Sequence, residues 1–333
     1  MIQCDLLIIG AGPAGLFATY YAGMRDLQVV LVDSLTHLGG QVAALYPEKL
    51  IYDVAGLPAV RGRDLIAGLI EQAQSAHPHI ILGEECTTLE DQDDGSIIAT
   101  TTSGATIHCA AILITGGIGR FTPRPLPAVD TYAGAGIHRV VGPAEEYVAD
   151  DIVIVGGGDS AVDWANMLAD TAKSVTLIHR RGRFTAHERA VEQIRNSRCR
   201  IITEAELLEV GGDASVAHVV VRDARTDTTE TVPASVIIPA LGHIASLGPL
   251  LEWGLSIKGR QIEVGTDMST GRQRVYAAGD ITDYPGKVRL MVVGFGEAAT
   301  AVNNIAVVLR PDEDLFPGHS SELPRLATAG IGG

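Results

Sequence analysis

Cysteine is scarce in this chain. Its four residues, Cys4, Cys86, Cys109 and Cys199, form no C-x-x-C pair and no metal-ligand spacing, which excludes a local redox dithiol or zinc site and fits a reducing cytoplasm. Aromatic residues make up only 5%; with abundant Gly and Ala, this suits closely packed α/β layers. Basic residues are outnumbered, 25 Lys+Arg against 40 Asp+Glu, for a net charge of −15. That balance argues against nucleic acid or an anionic membrane as partner. Although 46% of residues are hydrophobic, no uninterrupted apolar run approaches the roughly 18 residues of a membrane span. A strand begins within the first few residues, which leaves no place for a signal peptide. His138, His179, His187 and His243 are not spaced as metal ligands or as members of a catalytic triad.

What is present is a repeated glycine pattern in a chain of 333 residues, enough for two domains with separate cores. The stretch from Asp151 to Arg181 reads as a strand, Ile152 to Val155, then Gly156-Gly157-Gly158, then a helix opened by Asp159 and Ser160, then a strand, Val175 to Ile178. This is the dinucleotide fingerprint with Ala161 at its last position. The glycines permit a tight turn and close approach of a pyrophosphate, and the helix start offers free N–H groups. The chain begins with a second copy: Gly10, Gly12 and Gly15 follow one strand, and the strand Val29 to Val32 ends in Asp33.

The copies differ where the ribose is read, about 20 residues past the first glycine. An acid there, Asp33 in the first copy, binds the ribose hydroxyls of FAD or NAD. The second copy has His179, Arg180 and Arg181 instead, and guanidinium forks suit a 2′-phosphate. The first site therefore reads as FAD and the second as NADP.

The remaining chain organises around these units. Leu38 to Gln41 reads as a loop along the bound FAD, and Tyr46 is extended before Pro47. Asp64 to Ala76 has helical spacing. Ile80 to Leu82, Ile97 to Thr102 and Ile107 to Ile114 read as strands, with a turn at Asp93-Asp94-Gly95. The glycines of Thr115 to Gly119 mark a crossing into a second domain. There Arg189 to Ser197 reads as a helix, Ile201 to Thr203 as a strand, and Val219 to Arg222 and Val232 to Ile238 as a meander. Pro239 to Gly242 marks the return. The expected organisation is an FAD domain of residues 1–117 and 246–333 with an NADP domain, 118–245, inserted into it. Both are α/β and Rossmann-like. Ala278-Gly279-Asp280 should lie at a strand end before a helix, and Gly294 to Leu309 should be a helix packed in the core. The tail from Asp312 is too irregular for core.

Several motifs, GAGPAGL, GGQ with LYPEK and IYD, VGGGDSAVDWA, IHRRGRF with AHE, and AAGDITDYPGK, cover nearly the whole chain. They resemble the two-domain flavoprotein disulfide reductase superfamily, and within it the thioredoxin-reductase-type ferredoxin–NADP reductases. A thioredoxin reductase carries C-x-x-C before its second fingerprint; here that region is Arg139-Val140-Val141-Gly142. Disulfide exchange is thereby excluded unless remote cysteines meet.

The resemblance implies that Asp33 takes the FAD ribose and that Gln41 and Tyr46 line the flavin. It puts Cys86 at backbone contacts to the adenine, Phe121 near the flavin at the domain crossing, and Gly279 with Asp280 at the ribityl chain. It also implies a homodimer in which the tail crosses to the partner's flavin, with His319 as the stacking ring and Ser321 as a flavin-contacting hydroxyl. Gly156, Gly158, Asp159, Ser160, His179, Arg180 and Arg181 would hold NADP. The implied reaction is hydride transfer between NADPH and flavin, with single electrons exchanged with a ferredoxin or flavodoxin, and no protein acid–base group. Such partners are acidic, so an acidic enzyme needs a local basic patch; Lys49, Arg61, Arg63, Lys287 and Arg289 are candidates. Two rivals stay open: an NADPH-dependent flavin or quinone reductase or oxidase, and a non-enzymatic flavoprotein redox sensor.

Overall fold

The computed structural model describes residues 1–319 and residue 321. The chain divides into two compact units, Met1–Phe121 with the described chain from Ala245, and Thr122–Ile244.

In the first unit, parallel strands Ile2–Ile9, Val29–Asp33 and His79–Leu82 lie side by side. The long strand Thr106–Ile114 flanks Ile2–Ile9 and serves two neighbours. Its first half pairs antiparallel with Ile97–Thr101, and its last residues pair parallel with Val275–Ala277. Every residue of Val29–Asp33 is buried, as a parallel strand covered on both faces requires. Side chains alternate between two cores: Leu6, Ile8 and Leu31 face one cluster, Leu7, Val30 and Val32 the other.

The helix expected from Gly294 begins three residues earlier, as Met291–Leu309. Its buried residues, Gly294, Glu297, Ala298, Ala301, Val302, Ile305 and Ala306, form one helical stripe, and it packs on the helix Pro13–Gly23. By length and composition alone this helix is long and apolar enough to cross a membrane. Reading uninterrupted apolar runs overlooked it, because Glu297, Asn303 and Asn304 break the run without lowering the average enough. In the fold its stripe belongs to the core of the first unit.

The second unit has a four-stranded parallel sheet in the order Arg200–Thr203, Ser174–His179, Asp151–Val155, Val236–Pro239. A three-stranded antiparallel sheet, Ala205–Gly211, His218–Asp223 and Thr229–Pro233, adjoins it.

Two strands lie outside the expected elements, and two expectations differ from the fold. The strand Cys86–Asp91 reads as polar because it is an edge with Glu90 and Asp91 exposed. Ala205–Gly211 loses its alternation at a register shift between Leu207 and Glu209. The apparent single strand Val232 to Ile238 is two strands in different sheets. They part at Ala234 and Ser235, where the Ser235 hydroxyl donates to Asp150 and accepts from the Asp151 amide. Gly40 and Gln41 are the first turn of a short helix, Gly40–Leu45, and not loop.

Candidate functional site

In the first unit, neighbouring strands end in register: Ile9 lies opposite Val32 and Ile114, and Ile114 opposite Ala277. The residues that follow, Gly10, Asp33, Thr115 and Ala278, therefore meet at one edge, outside the carboxyl ends of the strands, where open α/β sheets bind ligands. Gly10 has φ +113°, and a Cβ there would lie 2.6 Å from the Thr115 carbonyl oxygen. A Cβ on Gly15 would overlap the Gly10 carbonyl oxygen. Gly12 is different. A Cβ there would meet only the Gly40 Cα, at 4.0 Å, so no protein atom requires glycine. The glycine leaves a cradle that a side chain would fill, at the start of the helix Pro13–Gly23, which suits a pyrophosphate.

Asp33 closes this turn. Its Oδ2 accepts the Ala11 N–H at 2.5 Å and its Oδ1 the Leu35 N–H at 2.8 Å. Burial pushes its carboxyl above the ordinary range, against the lowering effect of those two bonds. The Gly39 amide donates to the Ala11 carbonyl at 2.9 Å, and Gly39, at φ +103°, caps the helix that begins with Gly40 and Gln41. The Gln41 Nε2 lies 2.9 Å from where a Cβ on Gly117 would stand. Tyr46 is half-buried; burial, then the charges of Asp280 and Asp53, raise its phenol pKa, so Tyr46 and Asp280 share one neighbourhood. The Glu84 amide donates to the Asp33 carbonyl, 3.1 Å, which brings the backbone before Cys86 beside Asp33. The Cys86 side chain points into the core. Gly279, at φ +84°, is buried and packs on Ala14. A short strand, Thr282–Asp283, follows it before the long helix starts at Met291, so Asp280 does not stand directly before a helix.

Phe121 is half-buried in the strand Arg120–Pro123. His319 is exposed and meets the Phe316 ring edge-on at 5.3 Å. Ser321 is exposed, and the tail beyond it lies outside the described residues. Of the candidate basic patch, Lys287 drops out: its side chain is 4% exposed and paired with Glu297. Arg61 and Arg63 both bind the buried Glu48, at 3.0 and 2.7 Å.

In the second unit, Gly156 is forced by the Ala240 carbonyl oxygen and Gly157 by the His179 ring, each of which a Cβ would overlap. Gly158 again has no protein reason to be glycine; the nearest atom to a Cβ there is Thr185 Oγ1 at 3.8 Å. It precedes the helix Asp159–Leu168, as Gly12 precedes its own. The loop after His179 folds back onto this turn. Thr185 donates its amide, 2.8 Å, and its hydroxyl, 3.2 Å, to the Gly157 carbonyl. Asp159 accepts the His187 amide at 2.8 Å. His179 stacks on Phe184, 5.2 Å between centroids, and its Nε2 is 3.2 Å from the Arg183 carbonyl. Burial holds its imidazole below the usual range, and Arg181 and Arg180 push the same way. Ser160 is exposed in the first turn of the helix.

An open cavity of about 730 Å³ is lined by Arg181, Gly182, Arg183, Phe184, Thr185 and Ala186. Arg180 is exposed and does not line it. Arg183 and Thr185 were missed from sequence. The signal was there: a second guanidinium two residues after Arg181 in a segment that reads as loop.

The cysteines do partly meet: Cys4 and Cys109 are opposite each other on paired strands. Burial raises both thiols, Cys4 to about 12, whereas exchange needs thiolate. Cys4 also precedes Gly10 by about 20 Å of strand, so it does not reach the turn.

A family model for pyridine nucleotide-disulphide oxidoreductases matches residues 4–303. A ferredoxin–NADP reductase of Nocardioides sp. is 52% identical, covering 96% of this chain and 98% of the relative. One of Saccharopolyspora erythraea is 49% identical, over 96% and 98%. Among solved structures, the T. acidophilum thioredoxin reductase has the same fold, with a TM-score of 0.72 at 22% identity, over 93% of this chain and 99% of that one. With two dinucleotide turns in place and a family model spanning both units, the chain belongs to the pyridine nucleotide-disulphide oxidoreductase family.

Proposed function

We propose that the protein is a ferredoxin–NADP reductase, with FAD in the first unit and NADP(H) in the second. The observation that carries this is the contrast between two matching glycine turns. Both keep one glycine that no protein atom demands, Gly12 and Gly158. One is followed by a buried acid, Asp33, the other by a cavity lined with Arg181 and Arg183. Relatives about half identical over nearly their full length bear the same name.

In this reading the flavin supplies the hydride and one-electron chemistry, and the chain supplies binding and position. Gly10, Gly12, Gly15 and the helix start hold the FAD pyrophosphate, and Asp33 accepts the ribose hydroxyls. The backbone near Cys86 borders the adenine. Gln41, Tyr46, Phe121, Gly279 and Asp280 surround the flavin end. His319 and Ser321 reach a flavin from the tail, across a homodimer. Gly156, Gly158, Asp159 and Ser160 hold the NADP pyrophosphate, His179 shapes the turn, and Arg181, with Arg183 and Arg180, takes the 2′-phosphate. The half-exposed Arg61 and Arg63, with Lys49 and the exposed Arg289, offer positive charge to an acidic ferredoxin or flavodoxin. The expected location is the cytoplasm.

The test is cytochrome c reduction by NADPH with purified protein, with and without added ferredoxin. Strong dependence on ferredoxin, falling as salt rises, is the expected result. Full activity without ferredoxin would assign the enzyme to another acceptor, such as a quinone or free flavin. A yellow protein that anaerobic NADPH does not bleach would leave only a redox sensor.

A further inference from the structure

The core helix Met291–Leu309 carries a carboxylate where its stripe is otherwise Gly, Ala, Val and Ile. Glu297 and its partner Lys287 are each 4% exposed, with Lys287 Nζ 2.5 Å from Glu297 Oε1. Burying two charges is costly, and a hydrophobic pair is often as stable. Packing therefore does not explain the pair. Its hydrogen bonds do, because they converge on one residue, Gly279, and hold the peptide units on both sides of it. Glu297 Oε2 accepts the Gly279 N–H at 2.8 Å. Lys287 Nζ donates to the Gly279 carbonyl at 3.0 Å, and the Thr282 hydroxyl donates to the same oxygen at 2.8 Å. Tyr284 donates to Glu297 Oε1 at 2.5 Å; burial first, then Glu297, push its phenol up to about 12, so it stays a donor.

Gly279 is also confined by its neighbours. A Cβ on it would lie 3.2 Å from the Ala14 Cβ, and a Cβ on Gly294 would lie 3.3 Å from the Gly279 Cα. Ala14 belongs to the first turn of the helix that follows Gly12. The ion pair thus grips the turn that presents Asp280 and that abuts the helix start assigned to the pyrophosphate.

We propose that Lys287 and Glu297 are positioning residues for FAD: by holding both polar groups of Gly279 they fix the Gly279–Asp280 turn, and with it the affinity and reduction potential of the flavin. This rests on the FAD reading of the first unit. Neither residue needs to touch FAD. Holding the turn preorganised lowers the cost of binding, and a balanced pair places no net charge beside the cofactor.

The experiment measures FAD affinity of the apoprotein by quenching of flavin fluorescence, and the flavin midpoint potential of the reconstituted protein. The variants are Glu297→Gln, Lys287→Met, the double variant and the milder Tyr284→Phe. Glu297→Gln and Lys287→Met should each raise the FAD dissociation constant about tenfold or more, the scale of losing charged hydrogen bonds. Glu297→Gln, which leaves the lysine unbalanced, should raise the potential. The double variant should bind FAD no more weakly than the worse single one, with a potential closer to wild type. Tyr284→Phe should give a smaller loss of affinity and serves if the charge variants do not fold. NADP⁺ affinity, read in the second unit, should stay within about twofold throughout. Folded variants with unchanged FAD affinity and potential would overturn the positioning role alone. A wild-type apoprotein that binds no FAD would overturn the cofactor reading, and this inference with it.

Discussion

The imidazole of His179 stands where a side chain on Gly157 would have to go. The ring is not free to yield, since it stacks on Phe184 and meets the Arg183 carbonyl. Gly157→Ala should therefore push His179 and the loop through Thr185 off the glycine turn. The expected result is a KM for NADPH raised about tenfold, the scale of one or two hydrogen bonds lost, with FAD content unchanged. Adding His179→Ala should recover part of the loss, because the two changes share one contact. Strictly additive effects would mean that the ring does not transmit the clash.

In the proposed NADP site, the same loop would decide which arginines meet the 2′-phosphate. Arg181 and Arg183 line the cavity and Arg180 does not. Charged hydrogen bonds are worth about 1.5–3 kcal/mol. Arg181→Ala and Arg183→Ala should each lower the NADPH/NADH ratio of kcat/KM by about tenfold or more, and Arg180→Ala by less. An Arg180→Ala variant that loses the most preference would move the phosphate to the other side of the loop.

Sequence pattern revealed what backbone geometry forces. Gly10, Gly15 and Gly156 are glycines because carbonyl oxygens leave no room for a Cβ, and the strands beside them are buried on both faces, so their apolar runs are plain. Edges were less legible. Cys86–Asp91 is polar because one side is solvent, and the role of Arg183 depends on how an irregular loop folds back. Lys287 was misread for a related reason. A lysine in a glycine- and proline-containing segment reads as solvated, and only the fold shows Glu297, ten residues on, reaching it inside the core.

With Asp33 in its proposed role at the ribose, FAD binding should have a pH dependence of defined sign. Burial raises its pKa in the free protein above the ordinary 3.8. For the unliganded unit, the corresponding stability is present below the unfolded pKa and lost as pH rises through the folded one. Ribose hydroxyls donating to the carboxylate favour its ionised form. FAD affinity should thus be flat near neutral pH and fall as pH drops toward and through the raised pKa. Titration of the apoprotein with FAD across this range checks it, and Asp33→Asn should bind more weakly at neutral pH and lose that dependence. A wild-type affinity that improves on acidification would contradict the assignment.

Thiol chemistry should be dispensable. Burial raises Cys4 and Cys86 to about 12 and Cys199 to about 11, and pushes Cys109 up as well. At pH 8 all four should alkylate slowly in the native protein. Changing all four to Ser should preserve NADPH-dependent dye reduction, apart from a loss of stability at the core positions Cys86 and Cys109. A variant that keeps FAD and loses dye reduction would show that a dithiol takes part.

The segment that carries His319 has a fixed root. Arg25, with a side chain 2% exposed, ties that segment down near its root. Its guanidinium donates to Asn303 Oδ1 at 2.7 Å, the Leu315 carbonyl at 3.2 Å, Glu313 at 2.9 Å and the Asp314 carbonyl at 3.0 Å. Arg310 adds bonds to the carbonyls of Arg25 and Asp26, 3.1 and 2.8 Å. The chain is therefore anchored through Leu315, while Phe316 and His319 beyond it are exposed. In the proposed role, this ring just past a fixed root would cover a flavin and leave when nicotinamide arrives. His319→Ala should shift the flavin absorption bands, leave FAD bound and change the rate of flavin reduction by NADPH in rapid mixing. Truncation after Gly318 should do the same, because it spares every acceptor of Arg25. Truncation after Arg310 should in addition lower the Tm, since it leaves the buried guanidinium with Asn303 alone among these partners. An unaltered spectrum and reduction rate in His319→Ala and in the Gly318 truncation would mean that the imidazole does not sit on a flavin.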